Sequence, residues 1–233
     1  MSLLGAVGPL EAGALISLMR FVSPSLPIGA YAYSRGLEQA VCSGAVRDEA
    51  TAADWIIGLL SHVSVQLDGP IFVRLYGALA RGDDAELERW NALLLASRES
   101  AELRLEDTQL GAALARLLAG QELAPRAHAL SQRGDVCHAT SFALAAVSCS
   151  VPLMAALIGF LWAQAEGQTS AAVRLIPLGQ TAGQRLLSRI SAVLPGFAQQ
   201  ASDVPDSAIG ALSPGLALAS ALHETQYTRL FRS

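Results

Sequence analysis

From Ala139 to Ala165 the chain carries no charged side chain, a run longer than the ~20 residues a helix needs to cross hydrocarbon. Such a run must either span a membrane or fill a protein core, and its internal punctuation decides between them. Ser150-Val151-Pro152 is the arrangement of a helix start, with Ser near the N-cap and Pro in the first turn. Ser141, Ser148 and Cys149 also interrupt the apolar character. The run therefore reads as two helices, His138–Cys149 and Pro152–Ala165, apolar all round and central in a core, with no membrane span.

The rest of the chain has the same helical character. Ala and Leu, both strong helix formers, supply roughly a third of the residues, and no segment alternates with period two. Residues 11–22 predict a helix with Leu15, Leu18 and Met19 on one side. Ser23-Pro24-Ser25-Leu26-Pro27-Ile28-Gly29 cannot be helical, because each proline restricts itself and its predecessor. Helix resumes over Ser34–Cys42, with Ser34 as its cap, and Gly44 ends it. Asp48 caps the next helix, whose stripe is Trp55, Ile56, Leu59, Leu60 and Val63. Asp68-Gly69-Pro70 starts another, closed by Gly82, and Asp83 opens a short one with Leu87 and Trp90. Glu99–Leu118 keeps Leu103, Leu110, Leu114 and Leu117 on one face, and Gly120 stops it. Further on, Gly167 breaks the chain before a helix that leads to Ile176-Pro177-Leu178-Gly179. Gln180–Val193 ends at Pro195-Gly196, and Pro214–Phe231 forms the last helix. No repeat or long linker appears. The expected fold is all-α, a single compact domain over 1–233 of about ten helices.

Composition removes several functions. All 16 basic residues are Arg, so no P-loop lysine, Schiff-base lysine or lysine base exists in the chain. Acids outnumber bases, giving a net charge of −4, which argues against a nucleic-acid partner. Charged residues make up only 15%, which covers a surface thinly and implies apolar area buried against another protein. The three cysteines, Cys42, Cys137 and Cys149, lack CxxC spacing and read as reduced thiols of a cytoplasmic protein. Leu3, Leu4 and Val7 are apolar, but the first Arg is Arg20 and Glu11 interrupts, so no secretory signal is expected.

No catalytic or metal constellation emerges. None of His62, His128, His138 and His223 stands at helical metal spacing from another His or Cys, and the neighbours Cys137 and His138 diverge by about 100° on a helix. His138 reads as a buried histidine satisfied by a carbonyl. Ala32-Tyr33-Ser34-Arg35-Gly36 misses the nucleophile elbow, which needs a strand before it. Asp83-Asp84-Ala85-Glu86 lacks a second acidic pair, and its acids suit a first helical turn. Glu99, Glu102 and Glu106 share a face beside Arg98 without a His partner, and Arg98 with Glu102 reads as an ordinary surface pair. A helical small-molecule enzyme using Ser34 or these acids is the rival reading, and it requires a deep pocket of convergent polar groups. Two features stand out instead. Tyr31 and Tyr33 follow the proline loop, and the C-terminal segment carries Tyr227, Arg229, Leu230, Phe231 and Arg232, residue types enriched at interfaces.

These same segments carry a family resemblance. Ser23-Pro24-Ser25-Leu26-Pro27-Ile28-Gly29 with Tyr31, then Ser34, Gly36, Leu37 and Glu38, are joined by Ser97-Arg98-Glu99, Glu102-Leu103-Arg104 and His138-Ala139-Thr140. Pro177-Leu178-Gly179-Gln180 with Gln184 follow, and then His223-Glu224-Thr225, Tyr227 and Arg229–Ser233. In this order, over nearly the whole length, the chain resembles the UreF-type urease accessory proteins. The resemblance implies an all-α homodimer with no chemistry and no cofactor or metal site of its own. It would act with a UreD-type (UreH-type) protein and a UreG-type GTPase to load nickel into apo-urease, whose site holds two nickel ions bridged by a carbamylated lysine. UreF-type subunits would form the centre, flanked by UreD-type subunits, with the GTPase docked on the dimer. By position the resemblance puts weight on Tyr31, whose hydroxyl would accept from Arg229 as the tail orders near the proline loop. Arg174 stands where relatives often carry Lys, a position tied to the GTPase step, and Gln180 belongs to the same motif. The partner-binding set is thus Tyr31, Tyr33, Arg174, Gln180, Tyr227, Arg229, Leu230, Phe231 and Arg232.

Overall fold

The computed structural model of the protein describes residues 10–121, 123–211 and 213–233. The reading of Leu3, Leu4 and Val7 lies outside them. Among the described residues there is no strand, and eleven α-helices follow one another in a compact arrangement. They are α1 (Ala12–Phe21), α2 (Leu37–Cys42), α3 (Glu49–Leu59), α4 (Gly69–Arg81), α5 (Asp84–Ala96), α6 (Ala101–Gly120), α7 (Pro125–Ser131), α8 (His138–Ser148), α9 (Leu153–Leu175), α10 (Gln180–Asp203) and α11 (Pro214–His223).

The uncharged run is where the core sits. It breaks at Cys149–Pro152, with Ser150 at φ 53, into α8 and α9. Every residue of α8 from Ala139 to Ala146 is buried, and α4, α6 and α9 pack around it. Phe21, Phe72, Phe142 and Phe160 meet at its centre with ring centroids 4.9–6.4 Å apart, in stacked and edge-to-face pairs. Helix ends follow their caps. Asp48 and Thr51 form a reciprocal capping box at α3, Asp83 accepts from the Glu86 N–H at α5, and Ser100 accepts from the Leu103 N–H at α6.

Several boundaries differ from the sequence reading, each for a local reason. Asp68-Gly69-Pro70 does not start a separate helix: α3 and α4 join through a π-helical stretch, Leu60–Asp68. Pro70 has no N–H for the carbonyl of Gln66, and that carbonyl instead accepts from the Gly210 N–H at 3.0 Å. The continuous run Glu49–Arg81 is long and apolar enough to cross a membrane by length and composition, yet most of its apolar window lies inside the fold. Gly167 does not break α9, because a lone glycine costs only ~1 kcal/mol in a helix and Gln168 and Thr169 beside it are buried. Pro195 sits inside α10. The carbonyl it leaves without a donor belongs to exposed Ser191, where water can serve. Helix α7 went unread, and α2 begins at Leu37, after Arg35 and Gly36 turn left-handed at φ 49 and 78. Finally, α11 stops at His223 rather than Phe231. The backbone beyond it finds its partners elsewhere.

Candidate functional site

Those partners are buried carboxylates. Glu38 on α2 accepts from the Leu230 N–H at 2.7 Å and the Phe231 N–H at 2.8 Å. Glu102 on α6 accepts from the Arg229 guanidinium at 2.7 Å, and Glu106, one turn on, accepts from the Ser233 hydroxyl at 2.8 Å. The Arg232 N–H donates to the carbonyl of Ala32, and the Ser34 N–H and hydroxyl both donate to the carbonyl of Ser233. His223 closes the set: its Nδ1 lies 2.8 Å from Glu102 and its Nε2 3.2 Å from Glu38. The segment after α11 is thus bolted to the fold by side chains that stand in for a missing helical or strand ladder.

Local backbone geometry makes this possible. Gly36 is left-handed, and a Cβ there would meet the Ala219 Cβ at 3.2 Å, so glycine lets α2 lie against α11 and aim Glu38 at the segment. Ser34 is only partly the cap expected of it. Its hydroxyl accepts from the Glu38 N–H at 3.3 Å, but the helix starts at Leu37 and the same hydroxyl donates to Ser233.

A second charge layer lies beneath. Arg98 bridges Asp68 at 2.8 Å and Asp107 at 2.7 Å, and Arg35 reaches Asp68 at 3.6 Å and Glu106 at 3.7 Å. Arg98 is therefore not the surface partner of Glu102; both are buried and each serves another group. Burial pushes the Asp107 carboxyl up, but Arg98 and the His138 N–H outweigh it and hold it below the ordinary carboxylate range. For Glu106 burial wins over Arg35 and Ser233, and its carboxyl is held above that range. Burial likewise raises the Cys137 thiol far beyond neutral titration, which makes it inert as a nucleophile. His138 is only partly buried, not fully buried as expected; its Nε2 is enclosed with no carbonyl or other protein partner among the described residues, and desolvation depresses its pKa to about 4.

The predicted site residues divide clearly. Arg174 donates to the carbonyl of Tyr31 at 3.1 Å, and its guanidinium lies 4.7 Å from the centroid of the Phe231 ring, so Tyr31, Arg174 and Phe231 come together. The Tyr31 side chain points outward, 73% exposed, and Arg229 takes Glu102 rather than the Tyr31 hydroxyl. Tyr33 is buried and donates to Gln109. Burial raises its phenol pKa, and Arg232 alongside lowers it in part. Tyr227 is wholly exposed and Leu230 is 56% exposed. Gln180 opens α10 on the surface. A cavity of about 130 Å³ opens between the proline loop, Tyr31, Arg174 and the charge layer. Its acids and arginines neutralise one another, and among the described residues no group of three or more His, Cys, Asp or Glu is placed to hold a metal ion.

The sequence reading gave no site role to Glu38, Asp68, Asp107 or His223, although Glu38 and His223 stand among the residues that carry the resemblance. For Asp107 a signal existed. At about 100° per residue it falls on the stripe set by Leu103, Leu110 and Leu114, a core position for an acid.

A family model described as UreF matches residues 46–191. Among curated proteins, Urease accessory protein UreF 2 of Brucella anthropi is 48% identical over 221 residues, covering 94% of this chain and 96% of its own. Urease accessory protein UreF of Azoarcus sp. is 45% identical over 94% of this chain and 95% of its own. Its counterpart in Janthinobacterium sp. is 43% identical over 96% of this chain and all of its own length.

Proposed function

The chain belongs to the UreF family of urease accessory proteins, which are not enzymes, and we propose that it serves as the scaffold of a nickel-loading assembly. In this reading it is a single-domain, cytoplasmic homodimer that joins a UreD/UreH-type protein and a UreG-type GTPase on apo-urease. It would govern the GTP-dependent step at which nickel, the cargo, is handed over. Arg174 would contribute to the GTPase step through the carbonyl and ring contacts that fix it beside Tyr31 and Phe231.

One observation supports this most: the segment after α11 is held by buried carboxylates, yet it leaves Tyr227 and Leu230 exposed, as α11 leaves Leu218 and Leu222, 61% and 47% exposed, and as the turn linked to the segment through Arg174 leaves Tyr31. A polypeptide so firmly anchored, with an aromatic and a leucine exposed among polar residues, has the form of a preorganised docking edge, and aromatic anchors dominate binding energy at such edges. The UreD/UreH-type protein is the partner proposed for it.

Deleting the segment would bare Glu38, Glu102 and Glu106 and damage the fold, so point variants are the cleaner test. With Tyr227→Ala and Leu230→Ala combined, capture of a co-expressed UreD/UreH-type protein should fall at least about tenfold, since an interface anchor is worth about 2 kcal/mol or more. The melting temperature should stay unchanged, because both side chains lie in solvent. Unchanged capture would remove this edge from the interface.

A further inference from the structure

The contact between His223 and its two carboxylates contains a proton count. The His223 side chain is wholly buried, and those of Glu38 and Glu102 are 8% and 10% exposed. Each ring nitrogen faces one carboxylate oxygen, at 2.8 and 3.2 Å. Two such contacts need two hydrogens lying between the three groups. A neutral imidazole with two carboxylates supplies one. The other contacts cannot make up the difference, since they bring only donors to the same two carboxylates: Phe231 N–H to the Glu38 oxygen that faces the ring, Leu230 N–H to the other Glu38 oxygen, and Arg229 to the other Glu102 oxygen.

The charge balance agrees. With the second proton, Glu38, Glu102, His223 and Arg229 sum to zero; without it, a net negative charge and a nitrogen lone pair facing a carboxylate oxygen are sealed from water. The other charged groups nearby are already engaged: Glu106 with Arg35 and Ser233, and Glu224, next in sequence to His223, with the Ala101 N–H. We propose that His223 is the proton-holding centre of a latch, and that the 229–233 segment docks only while the Glu38–His223–Glu102 group holds its extra proton. The relief open to the deprotonated group is departure of the segment, which supplies three of the donors and whose loss admits water to both carboxylates.

Nuclear magnetic resonance on the full chain, labelled with nitrogen-15, tests it in two readings. At about pH 6 both ring nitrogens of His223 should be protonated while the Leu230 and Phe231 amides are protected from exchange. On raising the pH toward about 9, the opening equilibrium of those two amides, corrected for intrinsic exchange chemistry, should rise by about tenfold per pH unit once the proton is lost. Core amides of α8 should not follow. His223→Gln must abolish the slope, whether its segment stays docked or not. A docked segment over a singly protonated ring, a protection of Leu230 and Phe231 that does not change with pH, or a slope that persists in His223→Gln would each overturn the latch.

Discussion

At the scale of single residues, the fold turns on a few buried charges whose partners are distant in sequence. Arg98 and Asp107 lie nine residues apart and Asp68 comes from the end of the π-helical stretch, yet one guanidinium fork serves both. Arg35, held in the left-handed region at φ 49, spends conformational energy of order 1 kcal/mol to bring a second guanidinium to Asp68 and Glu106. Removing Arg98 leaves two acids sealed in the protein with a single cation at 3.6 Å from one of them. Arg98→Met should therefore lose about 3–5 kcal/mol, read as a lower midpoint in urea. Arg98→Lys should fall between, because an ammonium keeps the charge but cannot fork. A loss under about 1 kcal/mol for Arg98→Met would place the pair in the category of surface contacts. The sequence reading gave Arg98 that standing with a different partner, Glu102, since an i,i+4 pair looks alike whether wet or dry. Spacing along one helix carries no information about what another helix brings to it.

At the scale of elements, the sequence made helices legible and their ends much less so. The uncharged run split where Ser150 and Pro152 indicated, because a cap and a first-turn proline act on their own neighbours. Gly167, Pro195 and the stretch to Phe231 misled for one shared reason. Breakers and formers state a local preference of at most a few kcal/mol, and packing on α9, a solvent-facing carbonyl on α10, and the Glu38 carboxylate beyond α11 each outweigh it. The close approach of α6 to the residues before α8 is also a tertiary matter. A Cβ on Gly111 would stand 2.1 Å from the carbonyl oxygen of Val136, and Ser141 donates across the same gap to the Gly111 carbonyl at 2.7 Å. Backbone on both sides leaves no flexible atom to yield. Gly111→Ala should thus cost at least the 1–3 kcal/mol typical of overpacking, although alanine is the better helix former, while Gly167→Ala, with open space around it, should be neutral or stabilising by about 0.5–1 kcal/mol. Urea denaturation of the two variants gives opposite signs if this holds. The same sign for both would mean that α6 can shift.

At the scale of the whole molecule, a minority of the charged groups is buried, and these shape how the fold responds to acid. His138 lies at the start of α8 with its ring against Phe142 and Phe160, at the edge of the aromatic centre, and its N–H donates to Asp107. Its pKa is about 4 when folded against an ordinary 6.5, so between these values the unfolded chain binds a proton that the native one refuses. Stability therefore rises with pH across this window. The contribution is fully present above about 6.5 and is lost as the pH falls toward 4, amounting to about 3 kcal/mol. Glu106 has the opposite slope, because its raised carboxyl makes the native state the better proton binder as the pH falls toward the carboxylate range. A bare acid titration of the protein mixes these with the lowered Asp107 carboxyl, and comparison with a variant isolates the histidine. His138→Leu keeps an apolar side chain against the phenylalanines and has nothing to titrate. Its stability should fall by about 3 kcal/mol less than that of the unmodified chain between pH 7 and pH 4, equivalent to roughly 6–12 °C in melting temperature for a chain of this size. Parallel acid curves for the two proteins would mean that the imidazole gains water or a partner as the pH falls, and that the aromatic centre is less closed than its packing implies.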